Sequence, residues 1–247
     1  TVKRLSSQPA PVKAYNKAKE TGRKARVYYQ QFGFRKTVKR GMEKLLQKEA
    51  GTYEGFRLKY LPNRRDLERQ RKERFAYEPE FAVVVPLYRT PLPYLEDLIR
   101  SIQAQTYKNW KLYLADGSGE GSPLTDALKD YAAKDARIRV VASKCPLHIS
   151  GNTNQALRQV EEEYIVFADH DDMLAPDALY ECVKALNRLP ETEVIYTDED
   201  KVSMDGKEYY QPHFKPDFNL DLLRSANYMC HLYVVKKSLF DRVGYLD

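Results

Sequence analysis

No stretch of the sequence approaches the roughly 18 uninterrupted apolar residues of a membrane span, and Thr1 to Ala10 lack the apolar core of a secretory signal. The expectation is a soluble chain with no spanning helix. Cysteine is scarce as well: Cys145, Cys182 and Cys230 are odd in number, far apart and form no CxxC pair. That argues against a disulfide framework or a thiolate zinc site and suits a reducing cytoplasm. Glycine motifs that cradle phosphate are missing too, because the loop Gly117 to Ser122 has neither the GxxxxGK[ST] lysine nor GxGxxG spacing.

What is present suffices for a real core. The 247 residues are 43% hydrophobic and 12% aromatic, enough for one large α/β domain or two small ones. A net charge of +6 conceals a split: residues 1–80 hold 22 Lys and Arg against 9 Asp and Glu, and the remainder holds 19 against 26. Two parts of opposite electrostatics are joined, and the expected boundary divides residues 1–79 from 80–247. Between Ala14 and Lys48, Val27, Tyr28, Phe32, Phe34, Val38, Met42, Leu45 and Leu46 recur at roughly helical spacing, interrupted by Gly33 and Gly41. Such a basic arm can dock on a neighbouring domain, lie on an anionic membrane surface or bind nucleic acid. Docking and peripheral membrane contact are the favoured readings, and no nucleic-acid partner is expected. A second helix is expected over 63–75, with Asp66 and Glu68 near its start and Arg69, Arg71, Lys72 and Arg74 toward its end, as the helix dipole prefers.

Beyond the arm, short apolar runs alternate with helical patterns. Strands are expected at Phe81 to Val85, Trp110 to Ala115, Ile138 to Ala142 and from Tyr164 onward, with helices after Pro91, after Pro123 and over about 151–162. This alternation means βαβ units and a mostly parallel sheet flanked by helices, an α/β fold. A further helix over 175–189, a strand at Val194 to Tyr196 and a hairpin turning at Met204 to Gly206 complete the pattern. Strand ends then bring Pro86, Tyr88, Asp116, Asp169 and Asp171 to one edge. A ring can stack on a base, a carboxylate can accept from a base N–H, and a metal can hold a diphosphate.

The fourth strand runs straight into Asp169, His170, Asp171 and Asp172. On an extended segment Asp169 and Asp171 share a side, and their hard oxygens suit Mn²⁺ or Mg²⁺. The competing reading is an acidic turn that caps the helix near Pro176. Asp198, Glu199 and Asp200 form a second acidic cluster, either a surface turn or an acceptor-side group. His213 and His231 are candidates to complete a metal shell, and Lys215 to offset phosphate charge.

FAVVVPLYRTPLPYLEDLIRSIQAQTY, LADGSGEGS, ISGNTNQAL and YIVFADHDDML, in this order, resemble family 2 glycosyltransferases of the Rossmann-like GT-A fold. The resemblance covers about 80–247 and implies inverting transfer of a sugar from a nucleotide-diphosphate donor, such as a UDP- or dTDP-sugar, to a hydroxyl. Residue by residue it implies nucleoside contacts from Pro86, Tyr88 and Asp116, a ribose or metal contact from Asp169, and Asp171 as the main metal ligand. Asn154 matches the family's asparagine after the third strand, while Thr153 stands where many relatives carry arginine. YTDEDKV and the segment His213 to Asp247 resemble a bacterial, rhamnosyltransferase-like branch that builds surface polysaccharides. A glycan or lipid-linked acceptor is implied, with the enzyme in the cytoplasm or at the inner face of the plasma membrane.

Inverting transfer needs a base for the acceptor hydroxyl. The family's acidic base motif lies beyond the position matched by Gly244 to Asp247, so the chain reads as an excised piece whose base lies further on. Asp198 and Asp200 are the weaker candidates within it. Two other classes compete with the transferase reading. A sugar nucleotidyltransferase would carry a glycine-rich basic loop after the first strand, but Pro86 to Pro93 has no glycine. A membrane- or nucleic-acid-binding adaptor would rest on residues 1–80.

Overall fold

The computed structural model describes Gly22 and residues 52–247. The chain divides into two compact units, Thr1–Leu61 and Pro62–Asp247. In the first, helix α1 (Tyr53–Tyr60) starts where the Thr52 side chain accepts from the Gly55 N–H. The basic helical stretch expected over 14–48 lies outside the described residues. Among the described residues no helix is long and apolar enough to cross a membrane.

The second unit opens with α2 (Arg64–Gln70), shorter than the expected 63–75. Its start is a capping box, in which Asn63 accepts from the Asp66 N–H and the Asp66 carboxylate accepts from the Asn63 N–H. The segment that follows packs on the rest of the unit. Gln70 is buried and accepts from the Thr106 hydroxyl at 3.1 Å, Tyr180 donates to Glu73 at 2.7 Å, and the Tyr77 backbone exchanges two hydrogen bonds with the Asn187 amide. The expected boundary near residue 80 therefore falls inside this unit.

The elements that follow are β1 (Phe81–Leu87), α3 (Leu92–Gln103), β2 (Trp110–Asp116), α4 (Thr125–Lys134), β3 (Ile138–Ala142), α5 (Ile149–Leu157), β4 (Tyr164–Phe167), α6 (Ala178–Arg188), β5 (Val194–Tyr196), β6 (Glu199–Val202), β7 (Tyr209–His213), α7 (Leu220–Ser225), β8 (Tyr233–Lys236) and α8 (Lys237–Val243). One sheet of six strands has the order β3-β2-β1-β4-β8-β5, and β6 with β7 forms a separate hairpin. β1 runs parallel to β2 and β4, and β2 parallel to β3, whereas β8 is antiparallel to both β4 and β5.

The central strands are apolar almost throughout because both sheet faces are covered. Val83, Val85 and Leu87 enter a core with Leu95, Leu98, Ile99 and Ile102 of α3 and with α6. Ala82 and Val84 face the opposite core with Ala156, Leu157 and Phe240. Each fully buried Val or Leu contributes roughly 1.5–3 kcal/mol through area removed from water. Winding proceeds from β1 to β3 on one side and resumes with β4 on the other. The reversal opens a crevice at the carboxyl ends of β1 and β4, the usual ligand position in such sheets.

Candidate functional site

β1 delivers Pro86 and Leu87 to this edge, followed by Tyr88, which is 52% exposed. Arg89 adopts a left-handed backbone (φ 48°), its guanidinium lies 5.6 Å from the Tyr88 ring centre, and its N–H donates to the Ser118 hydroxyl at 2.9 Å. At the end of β2, Asp116 is buried. Its carboxylate accepts from the Ser118 N–H and the Ser122 hydroxyl, so it shapes the 117–122 loop. Behind that loop the Asn152 amide donates to the Leu87 and Ala115 carbonyls at 3.1 and 2.7 Å, joining the ends of β1 and β2.

These parts wall a cavity of about 690 Å³ lined by Pro86, Tyr88, Pro146, His148, Asn152, Asp169, His170 and Asp171 among others. Of the residues expected to meet a donor nucleotide, Pro86, Tyr88, Asp169 and Asp171 thus share one cavity. Asp116 lies outside its lining and acts on the loop behind it. Asn154 is elsewhere: its side chain accepts from the Leu246 N–H at 3.0 Å and donates to the Leu246 carbonyl at 2.6 Å, tying α5 to the end of the chain. Asn152 lines this cavity too, and sequence reasoning did not single it out. Its signal was a third polar side chain in the Asn-Thr-Asn run of α5.

The acidic segment is not extended. His170 and Asp171 form a turn closed by the Asp172 N–H to the Asp169 carbonyl at 3.2 Å. The residue brought beside Asp169 is therefore Asp172, while Asp171 is exposed. Ligand atoms of Asp169, Asp172 and His231 lie within 4.8 Å of one another. The two His231 ring nitrogens are 3.4 Å from Asp169 and 3.6 Å from Asp172. Among the described residues neither carboxylate accepts a hydrogen bond. Two hard oxygens and an imidazole, half-buried and grouped together, fit a divalent ion of the Mn²⁺ type. Burial lifts the Asp172 carboxyl above its ordinary range; the His231 charge opposes this, and Asp169, Asp171 and Glu199 add to it. Such a site favours an added positive charge.

On the other side of the turn lies a second cavity, of about 540 Å³, lined by Asp172, Met173, Leu174, Asp198, Glu199, Asp200, Gln211, His213 and His231 among others. Asp198 accepts from the Lys215 N–H at 2.8 Å. Glu199 belongs to β6 and accepts from the His231 N–H, His213 and Lys215. Burial raises its carboxyl, but those bonds outweigh burial and hold it below the ordinary range. Lys215, expected to meet phosphate, is enclosed instead, with its side chain 1% exposed.

The sequence model for glycosyl transferase family 2 matches residues 82–244. The chain belongs to that family. The chain is similar to an uncharacterized protein, y4gI, of Sinorhizobium fredii, 42% identical over 67% of this chain and 18% of its own length. Another relative is the O-antigen biosynthesis protein RfbC of Myxococcus xanthus, 30% identical over 69% of this chain and 13% of its own length. The chain thus spans less than a fifth of either relative. In fold it is similar to the mannosyltransferase PcManGT of Pyrobaculum calidifontis, solved with GDP-Man and Mn²⁺ (TM-score 0.51, 22% identity, 73% of this chain and 53% of that one). It is also similar to S. aureus TarS 1–349 in complex with UDP-GlcNAc (TM-score 0.54, 18% identity, 68% and 48%). The family 2 chain therefore has the GT-A fold expected from its motifs.

Proposed function

We propose that this chain binds a nucleotide-diphosphate sugar and passes the sugar, with inversion, to a hydroxyl of a growing surface polysaccharide or lipid-linked glycan. One observation supports the reading: two cavities adjoin the turn Asp169 to Asp172, where Asp169, Asp172 and His231 could hold a divalent ion. A sugar held at that turn has its nucleotide on one side and an acceptor on the other. Family membership, RfbC's name and the nucleotide sugars bound by PcManGT and TarS support it.

In this mechanism Tyr88 stacks on the base over Pro86, with Asp116 holding the loop behind them. α5 begins at the same cavity with no side chain capping its first N–H groups, a favourable end for negative charge. Asp169, Asp172 and His231 would hold Mn²⁺ or Mg²⁺, with Asp171 at the rim facing the donor; the ion supplies charge neutralisation at the leaving diphosphate. Asp198 and Asp200 line the acceptor cavity and are this chain's own candidates for taking the acceptor's proton. The cytoplasm, with peripheral membrane contact through the basic arm, is the proposed location.

The test is calorimetric titration with UDP and with dTDP, each with Mn²⁺ and then with chelator, beside Asp172→Asn and Asp171→Asn. Metal-dependent binding of one nucleotide, lost in Asp172→Asn and weakened less in Asp171→Asn, is expected. Nucleotide binding indifferent to chelator and to both variants would refute the metal reading.

A further inference from the structure

We infer that Lys215 and Glu199 form a clamp that grips the His231 backbone and so aims its imidazole at Asp169 and Asp172. The functional consequence rests on the metal reading above; the clamp itself rests on geometry. His231 lies between α7 and β8, in a connection where no helix or strand ladder fixes its orientation. Its N–H donates to Glu199 Oε2 at 2.6 Å, and its carbonyl accepts from Lys215 Nζ at 2.6 Å. Nζ and Glu199 Oε2 are themselves paired at 3.3 Å. One residue further on, Thr197 exchanges two hydrogen bonds with Leu232, through its hydroxyl and its N–H, each at 3.2 Å.

Three separate segments are therefore tied at one residue: β6 gives the acid, the segment after β7 gives the ammonium, and the approach to β8 gives the imidazole. A lysine side chain only 1% exposed is costly unless its protons are used. Here they go to Glu199, the His231 carbonyl and, at 3.5 Å, the Met229 carbonyl. None is left for a substrate phosphate, so Lys215 is a positioning residue. Outer partners of a metal-ligating imidazole commonly alter metal affinity by about 10–100-fold.

The experiment titrates the full chain with Mn²⁺ alone, following the free ion by electron paramagnetic resonance. It compares the unaltered protein with Lys215→Met, His231→Ala and the double variant, each checked for folding by circular dichroism. Each single change is expected to weaken Mn²⁺ binding about tenfold, with the double variant no weaker than His231→Ala. Losses that multiply in the double variant would mean that Lys215 acts elsewhere, overturning the inference while leaving the metal centre standing.

A metal-free readout separates the two ideas. The chain has 4 histidines, so the His231 ring signals can be resolved by NMR. In Lys215→Met they should move toward the free-histidine position while those of His148 stay in place. Unmoved His231 signals overturn the inference whatever the metal does. If the unaltered protein binds no Mn²⁺, the metal reading fails and the ring signals decide the clamp alone. Should Lys215→Met not fold, Glu199→Gln, which keeps size and an acceptor oxygen, goes through the same series with the same pattern expected.

Discussion

Gly117→Ala perturbs the point where fold and donor cavity meet. The backbone at Gly117 is not left-handed, so conformation does not forbid a side chain; space does. A Cβ there would stand 2.8 Å from both Cγ and Nδ2 of Asn152. That amide cannot swing aside freely, because Nδ2 donates to Leu87 O at 3.1 Å and Ala115 O at 2.7 Å. Overpacking of this kind costs about 1–3 kcal/mol, and relieving it by expelling the amide would forfeit two hydrogen bonds of about 1 kcal/mol each. Gly117→Ala should therefore destabilise by about 2 kcal/mol. Asn152→Ala should cost about 2–3 kcal/mol, since two strand-end carbonyls lose their donor. If the costs were independent the double variant would lose about 4–5 kcal/mol, but with the amide gone the new methyl meets only the remaining Cβ at 3.2 Å, so about 3 kcal/mol is expected. Urea unfolding at matched m-values measures all three, and calorimetry with the preferred nucleotide should show weakened binding in each, because Leu87 and Asn152 line the cavity. Costs that add to within about 0.5 kcal/mol would refute the steric argument.

Asp135 accepts from Arg137 Nε and Nη2 at 3.0 and 2.8 Å, and that pairing, against a smaller burial effect, draws its carboxyl from 3.8 down to about 2. A depressed carboxyl stabilises fully above its unfolded value and loses this as pH falls through the folded one; Asp135→Asn should thus cost about 1–2 kcal/mol at pH 6, discounted for the part-exposed Arg137, and almost nothing near pH 2, by urea unfolding across that range. Lys111→Met should destabilise by about 3 kcal/mol in the same assay, because it leaves the Glu162 carboxylate, 0% exposed and 2.7 Å from Nζ, without its counter-charge; adding Glu162→Gln should recover part of the loss. Burial pushes the Cys182 thiol up to about 12, whereas Cys145 is exposed. An alkylating reagent at pH 8 should modify Cys145 and spare Cys182 until denaturant is added, as read by mass spectrometry.

The parallel sheet was legible because its strands are short apolar runs bounded by Pro, Gly and Asp, a pattern that follows from burial on both faces. The convergence of Pro86, Tyr88, Asp169 and Asp171 followed from strand ends alone. Asp172 was not legible, because the alternation argument assumed an extended chain and the backbone turns at His170 and Asp171. Asn154 matched a family position, yet its amide is occupied by Leu246, a partner 92 residues away that local pattern cannot reveal. Insertion of β8 between β4 and β5 is equally non-local. Glu199 resembled one acid of a surface turn, and only the hairpin folding back over Lys215 and His231 makes it half-buried and structural.

The two cavities differ in how they are built, and this bears on what each can specify. The proposed donor side is walled by the end of β1, the start of α5 and the turn after β4, with Ala82 to Val85 and Tyr164 to Val166 buried beneath, so its geometry rests on the central strands. The second side is walled by β6, β7 and the residues around His231, which pair with each other more than with the sheet. If the proposed function holds, a change of acceptor can be met in that hairpin without moving the ends of β1 and β4. The contacts at Lys215 are where the separation stops: Lys215 and Glu199 hold the His231 backbone, and the His231 ring faces Asp169 and Asp172, so the two walls meet there. If the second cavity takes the acceptor as proposed, an acceptor that shifted the hairpin would act on the candidate metal ligands through the backbone of His231.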